Sequence, residues 1–402
     1  MKLMVYSHDA FGLGNIRRMV AICDYLLKAI PNVSILVVSG SPALHQLRLP
    51  DGLDYIKLPC LGRDEKGKMG VKFLRTELGD ALKLRGELIC TAAMNFQPDV
   101  VLVDKKPNGL WGELQPTLNY LKQSCSQARL VLLLRDILDS PAATIAQWQQ
   151  DNYYTLAEAL YDQIWVVGSP EIFDTPREYQ FPPRLSAKTR FMGYIRRGLG
   201  FRHANEVRRS LGVTATDRLI LVTPGGGGDG FRLVDTYLKA QNALGRDQRL
   251  ISLIVGGPEM PAERKQELLY RIHPQPHLRW LDFTDDLASY MTAADVVVSM
   301  GGYNTVGEIL SLQRRAVVVP RTHPVEEQWI RAQRMAELGL FTAIHPDTLT
   351  PARLAEALRQ ELHGNSPWTD YRLDLNALPR ITETLLGLMN SPYPKVQSEL
   401  VA

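Results

Sequence analysis

Short β-branched apolar runs alternate with helix-period segments along this chain, in two successive series. Such alternation marks parallel sheets joined by crossover helices. In the first series the strand candidates are Leu3 to Tyr6, Ser34 to Val38, Val100 to Val103, Leu130 to Leu134 and Ile164 to Val167. In the second they are Leu219 to Val222, Leu250 to Val255, Val296 to Ser299 and Ala316 to Val319. After the first strand, Ile16, Val20, Cys23, Leu27 and Ile30 recur at steps of three and four, which puts them on one helical face, and Pro31 closes that helix. The Gly- and Arg-rich stretch from Phe191 to Gly200 separates the two series and reads as a linker. At 402 residues the chain exceeds one ordinary core. The expected division is an α/β domain over 1–195, a second over 196–375, and a C-terminal helical run within 376–402.

Charge and cysteine usage exclude several classes. Forty-six Lys and Arg stand against 43 Asp and Glu, so there is no basic excess to favour a nucleic-acid partner. The four cysteines form no CxxC pair and no His lies at metal-ligand spacing from them, so we expect free thiols in a reducing compartment and no metal site. No apolar run reaches membrane-spanning length, and the N-terminus lacks a small-residue cleavage site, reading as a first strand. The expectation is a cytoplasmic protein, or one attached to a membrane surface from that side. Residues 60–90 mix Arg63, Lys66, Lys68, Lys72, Arg75, Lys83 and Arg85 with Met69, Val71, Phe73 and Leu74. They fit a solvated loop and helix, or a docking surface for a membrane or an acceptor.

The segment Ser299 to Leu310 carries the most chemistry. It reads as a strand end, a Gly turn and a helix start. Unpaired N–H groups at such a helix N-terminus suit a diphosphate, and Gly301 and Gly302 permit close backbone approach. Val306, Ile309 and Leu310 fall on one face of the helix, and Glu308 falls opposite, with Asn304 and Gly301. A carboxylate there can accept both hydroxyls of a ribose; an ordinary surface Glu has the same spacing. One αβ unit later, Val317 to Pro320 ends in the polar loop Arg321-Thr322-His323-Pro324, and Glu327-Gln328 open a helix.

Together these two segments resemble the donor half of GT-B glycosyltransferases, especially the bacterial N-acetylglucosaminyltransferases of lipid II synthesis and their glycolipid-forming relatives. The likeness runs over about residues 219–340. In that family a Ser-x-x-Gly-(x)5-Glu stretch holds the nucleotide; Ser299, Gly302 and Glu308 match it without a gap. The resemblance implies that Asn304 and Thr305 belong to the donor site, that Glu327 and Gln328 contact the donor sugar, and that His323 corresponds to a loop His. The Gly225 to Gly228 run, with Gly226 and Gly227 at its centre, can wrap a phosphate, although flexible loops look the same. Val255-Gly256-Gly257-Pro258 borders a base pocket or is a plain tight turn.

In the first domain the turn Ser7-His8-Asp9-Ala10-Phe11-Gly12-Leu13-Gly14-Asn15 is similar to the G-x-G-H turn of these transferases. Many members carry a His after the second Gly. Asn15 stands there in this chain and cannot take a proton at neutral pH. Asp9 and His8 are therefore the candidate catalytic base and its partner. Gly12, Gly14, Asn15, Asp104 and Asp136 are the acceptor-side candidates, the last two at strand ends, where open sheets place their crevice.

The resemblance implies two Rossmann-like doubly wound domains facing a central cleft, with the C-terminal helix packed back across them. It also implies an inverting, metal-independent transfer from a nucleotide sugar, a UDP-sugar, to an acceptor hydroxyl, with no cofactor. Two alternatives share the architecture: a nucleotide-sugar 2-epimerase, and a non-catalytic nucleotide-sugar binding protein, which Asn15 favours.

Overall fold

A computed structural model describes residues 1–8, 14–41, 49–63, 69–244, 250–364 and 371–390. Its strands are β1 (Lys2–Ser7), β2 (Ser34–Ser39), β3 (Leu53–Lys57), β4 (Leu61–Arg63), β5 (Met69–Val71), β6 (Val100–Asp104), β7 (Arg129–Arg135), β8 (Gln163–Val167), β9 (Thr189–Phe191), β10 (Arg218–Thr223), β11 (Leu250–Val255), β12 (Leu278–Leu281), β13 (Val296–Ser299), β14 (Arg315–Val318) and β15 (Thr342–Ala343). Every strong apolar run of the sequence is among them. The edge strands β3, β9, β12 and β15 and the short β4–β5 hairpin are additional; they are too short or too polar to show a pattern.

The first sheet is parallel, in the order β3-β2-β1-β6-β7-β8-β9. The second, also parallel, runs β12-β11-β10-β13-β14-β15. Parallel sheets are covered on both faces, so their central strands read as continuous apolar runs. Val100 to Val103 are at most 2% exposed, and Leu219 to Val222 are fully buried. At about 1.5–3 kcal/mol for each buried large apolar side chain, these strands anchor the two cores.

Strand order matters for function. In each sheet the chain winds outward one way, then returns and continues on the other side of its first strand. The reversal falls between β1 and β6 in one domain and between β10 and β13 in the other. Open α/β sheets bind ligands outside the carboxyl ends of the strands at such reversals.

The chain changes domain twice, and the two crossings touch. Tyr194 N–H donates to the Asp374 carbonyl at 2.8 Å, and Ala377 N–H donates to the Tyr194 carbonyl at 3.2 Å. Arg380 Nη1 donates to the Met192 carbonyl at 2.6 Å and to Asp374. The helix Ala377–Asn390 then buries Ala377, Ile381, Leu385 and Leu388 against the first sheet and the helix Gly14–Ala29, while Leu386 faces solvent. Within residues 60–90, the helix Leu78–Phe96 buries Arg85 as well as Ala81 and Ile89; Arg85 bonds Glu113 through Nε and Nη2. Phe73 and Leu74 stay exposed beside Lys72 and Arg75.

Candidate functional site

Between the two sheets lies a cleft of about 920 Å³, lined by residues of both domains. One wall comes from the second domain. After β13 the chain turns at Gly301, whose φ of +72° suits glycine, and a Cβ there would approach Val318 Cγ1 to 2.6 Å. Gly301 N–H donates to Ser299 Oγ at 3.3 Å. Ser299 and Gly301 thus shape the turn from beneath and do not line the cleft. Gly302 caps the helix Tyr303–Ser311, which has no side-chain cap and no acid in its first turn. Its first N–H groups and its positive dipole end are suited to an anion. Val306, Ile309 and Leu310 are buried, while Gly302, Asn304, Thr305 and Glu308 line the cleft.

Burial pushes the Glu308 carboxyl above its ordinary range, against the pull of Arg197 and Arg17. Arg197 Nη2 donates to Asn304 Oδ1 at 2.6 Å. Beside this turn lies the glycine run after β10, and Gly226 and Gly227 line the cleft there. Gly227 and Gly257 have φ near +90°, and the two turns pack backbone against backbone: a Cβ on Gly227 would lie 2.3 Å from the Gly256 carbonyl.

The loop after β14 supplies His323, and the helix Glu327–Glu337 begins with Glu327 and Gln328, all at the cleft. The Gln328 amide, oriented to satisfy both neighbours, lies 2.7 Å from the Met300 carbonyl and 3.1 Å from Arg321 Nε. Glu327 accepts from Arg331, one helical turn on, and from Arg135 Nη1 of the other domain at 3.3 Å. Burial alone would raise the Glu327 carboxyl, but Arg135 and Arg331 more than offset it and hold it down to about 2.

The first domain meets the cleft through arginines; Asp104, which holds His8, is not in the lining but pairs with one of them, Arg18. His8 follows β1 and Asp104 ends β6, so the strand-order reversal brings them together: His8 Nδ1 lies 3.0 Å from Asp104 Oδ2. Arg18 Nη2 donates to Asp104 Oδ1 at 2.6 Å. Burial works to raise the Asp104 carboxyl, yet Arg18 and His8 hold it down to about 2. Next to it Lys105 has a φ of +65°, and burial with Arg135 nearby lowers its ammonium to about 7. Asp104 is fully buried and does not line the cleft, and neither does Asp136. Asp136 is 1% exposed, takes Arg331 Nε at 2.6 Å and Nη2 at 2.8 Å, and accepts from the Tyr194 hydroxyl at 3.0 Å. Asp9 and Gly12 lie outside the described residues. Gly14 and Asn15 open the helix Gly14–Ala29.

Sequence reasoning passed over the arginines. Arg17, Arg18 and Arg135 cross from the first domain into the cleft lining. Arg331 sits four residues after Glu327, a spacing that pairs side chains on a helix and could have revealed it. Among the described residues no group of three or more His, Cys, Asp or Glu is placed to hold a metal, and no helix is long and apolar enough to cross a membrane.

Two doubly wound domains, each presenting its strand-order reversal to a shared cleft, define the GT-B fold class. Solved structures agree. Acinetobacter baumannii MurG superposes with a TM-score of 0.61 at 14% identity, over 96% of this chain and 99% of that one. A protein assigned as a UDP-N-acetylglucosamine 2-epimerase from Listeria monocytogenes gives 0.65 at 10% identity, over 96% and 95%. At these identities the likeness is one of fold.

Residues 219–370 match the glycosyltransferase family 28 C-terminal domain. An uncharacterized glycosyltransferase of Methanopyrus kandleri is 28% identical over 162 residues, 40% of this chain and 43% of that protein. The UDP-N-acetylglucosamine–N-acetylmuramyl-(pentapeptide) pyrophosphoryl-undecaprenol N-acetylglucosamine transferase of Clostridioides difficile is 24% identical over 186 residues, 44% of each chain. The chain thus spans under half the length of these curated relatives. It is a GT-B-fold protein related to the MurG family of glycosyltransferases.

Proposed function

We propose that the protein is an inverting glycosyltransferase that moves a sugar from a UDP-sugar to an acceptor hydroxyl. The observation that carries this reading is the placement of Glu308. It lies on the cleft face of an uncapped helix, one αβ unit ahead of Glu327-Gln328, and across the cleft Arg18 of the first domain holds Asp104, which in turn holds His8. In this reading the N–H groups of Gly302 to Thr305 take the diphosphate, Glu308 the ribose, and Glu327 and Gln328 the sugar hydroxyls. Gly226 and Gly227 flank the phosphates. The exposed Leu199, Phe201 and Phe283 at the cleft give an apolar border to a planar base.

In this reading His8 is the base, in place of Asp9, and Asp104 orients it. Nδ1–H donates to the carboxylate, which leaves Nε2 to accept a proton. The acceptor oxygen forms its bond to the anomeric carbon from the face opposite the leaving group. Its proton passes to His8, and the diphosphate departs with the bonding pair. Arg17, Arg197 and the helix dipole stabilise the charge that develops on it. No step requires a metal. Phe73 and Leu74, exposed beside Lys72 and Arg75, support contact with an anionic membrane face that presents the acceptor.

The test is proton NMR of UDP-N-acetylglucosamine with the protein, alone and with a lipid and glycan extract. Release of UDP that depends on the extract, and that stops in His8→Ala, is the expected result. Interconversion of the sugar without any extract would replace the transferase reading with the epimerase one.

A further inference from the structure

Tyr303 is the first residue of the helix that faces the cleft, yet its ring reaches into the opposite domain. Its hydroxyl donates to the Val167 carbonyl at the end of β8, at 3.0 Å. Its ring stacks on Tyr194 with centroids 6.2 Å apart. The Arg18 guanidinium lies 5.6 Å from the ring centroid and that of Arg331 lies 5.4 Å from it. Both arginines are buried, at 2% and 0% exposure, where a cation is drawn to an aromatic face most strongly. Each belongs to a different network. Arg18 pairs with Asp104, which holds His8; Arg331 pairs with Asp136 and Glu327. A single ring carried by the phosphate turn therefore touches the cation that orients the base and the cation that orients the sugar-side carboxylate.

We propose that Tyr303 is a positioning residue that couples occupation of the phosphate turn in one domain to the placement of the His8–Asp104 pair in the other. The inference rests on the transferase reading above. An anion bound at the N–H groups of Gly302 to Thr305 fixes the first helical turn and with it the ring. The ring fixes Arg18, and Arg18 fixes the carboxylate that orients His8. When the domains separate, the ring withdraws with its helix and Arg18 loses that support. The base is then poised only with donor in place, which limits reaction of an unoccupied or half-assembled cleft.

Hydrogen exchange reads this coupling without an acceptor. The probe is whichever of UDP, dTDP and GDP raises the melting temperature of the full chain. In the wild type it slows exchange in the donor segments 223–229 and 299–308, and also in 16–20 and 100–106 across the cleft, by about fivefold or more, as coupling of ordinary size requires. Tyr303→Phe, which keeps the ring, retains the effect. Tyr303→Met still gains melting temperature from the diphosphate but loses protection at 16–20 and 100–106. Arg18→Gln cuts the same chain at its other end, leaves the donor helix intact and gives the same loss, which decides the matter if Tyr303→Met does not fold. Retained protection in either variant overturns the proposal, as does a wild type protected only in the donor segments. If no diphosphate stabilises the wild type, it is the donor reading that fails, and this inference falls with it.

Discussion

The two walls of the cleft are built in opposite ways. The second-domain wall is made of contiguous pieces: Gly302 to Glu308 is one turn and helix, and His323 to Gln328 is one loop and helix start. The first-domain side is made of single residues from distant places: Arg18 on the helix after β1 and Arg135 at the end of β7 line the cleft, and Asp104 at the end of β6 holds both Arg18 and His8. A diphosphate is met by backbone N–H groups, which a strand–turn–helix supplies in one stretch. The His8–Asp104 pair is brought together by sheet topology alone. Arg331 joins the walls, bound to Asp136 on one side and to Glu327 on the other.

That difference can be broken from several sides. The largest effect is expected where the walls join. Arg331→Met leaves Asp136 buried without its cation and Glu327 with Arg135 alone, and lowers the unfolding free energy by about 3–5 kcal/mol in a urea titration. A loss close to zero would show that the junction is incidental. In the first domain, with His8 as the proposed base, His8→Ala reduces turnover by about 10²–10⁴-fold while nucleotide affinity is unchanged, as removal of a general base does. Equal losses in affinity and turnover would place His8 on the donor side instead.

Acid separates the ion pairs from the rest. The Asp104 and Glu327 carboxyls lie at about 2 in the folded state, below their ordinary 3.8 and 4.5. Between those limits the unfolded chain binds more protons than the folded one. The stability they contribute is complete above the ordinary values and is lost as pH falls toward 2, about 2–3 kcal/mol for each. Urea titrations from pH 6 to about pH 2.5 check this, and a flat profile would contradict it. The smallest effect is expected far from both walls: Phe73→Ser changes stability by no more than about 0.5 kcal/mol and leaves nucleotide binding alone, because the side chain is 67% exposed.

How much could be read in advance follows the same division. The apolar runs at Val100 to Val103 and Leu219 to Val222 are strands because a buried parallel strand needs an unbroken apolar stretch, and that is visible along the chain. Asn304 and Glu308 were placed on the cleft side by helical periodicity, Gly302 by its turn, and Glu327 and Gln328 by the resemblance to the transferases. Asp136 had the same strand-end signature as Asp104, and both are buried against an arginine, Asp136 with Arg331 of the second domain and Asp104 with Arg18 of its own. Local sequence cannot tell these two apart, since the partner of each is fixed by long-range packing. The His8–Asp104 contact spans 96 residues of chain and depends on β6 lying beside β1. Tyr303 was hidden for another reason: at the start of a phosphate-facing helix an aromatic reads as filler until the opposite domain is in view.

The central claim is that the second domain holds a nucleoside diphosphate through Glu308 and the turn beneath it. Melting temperature measured against UDP, dTDP, GDP and ADP, for the wild type and Glu308→Ala, tests it most directly. One of them should stabilise the wild type, by roughly 2.7 kcal/mol at about a hundred times its dissociation constant, and that gain should be lost in Glu308→Ala. No shift with any nucleotide, or a shift that survives Glu308→Ala unchanged, would contradict it.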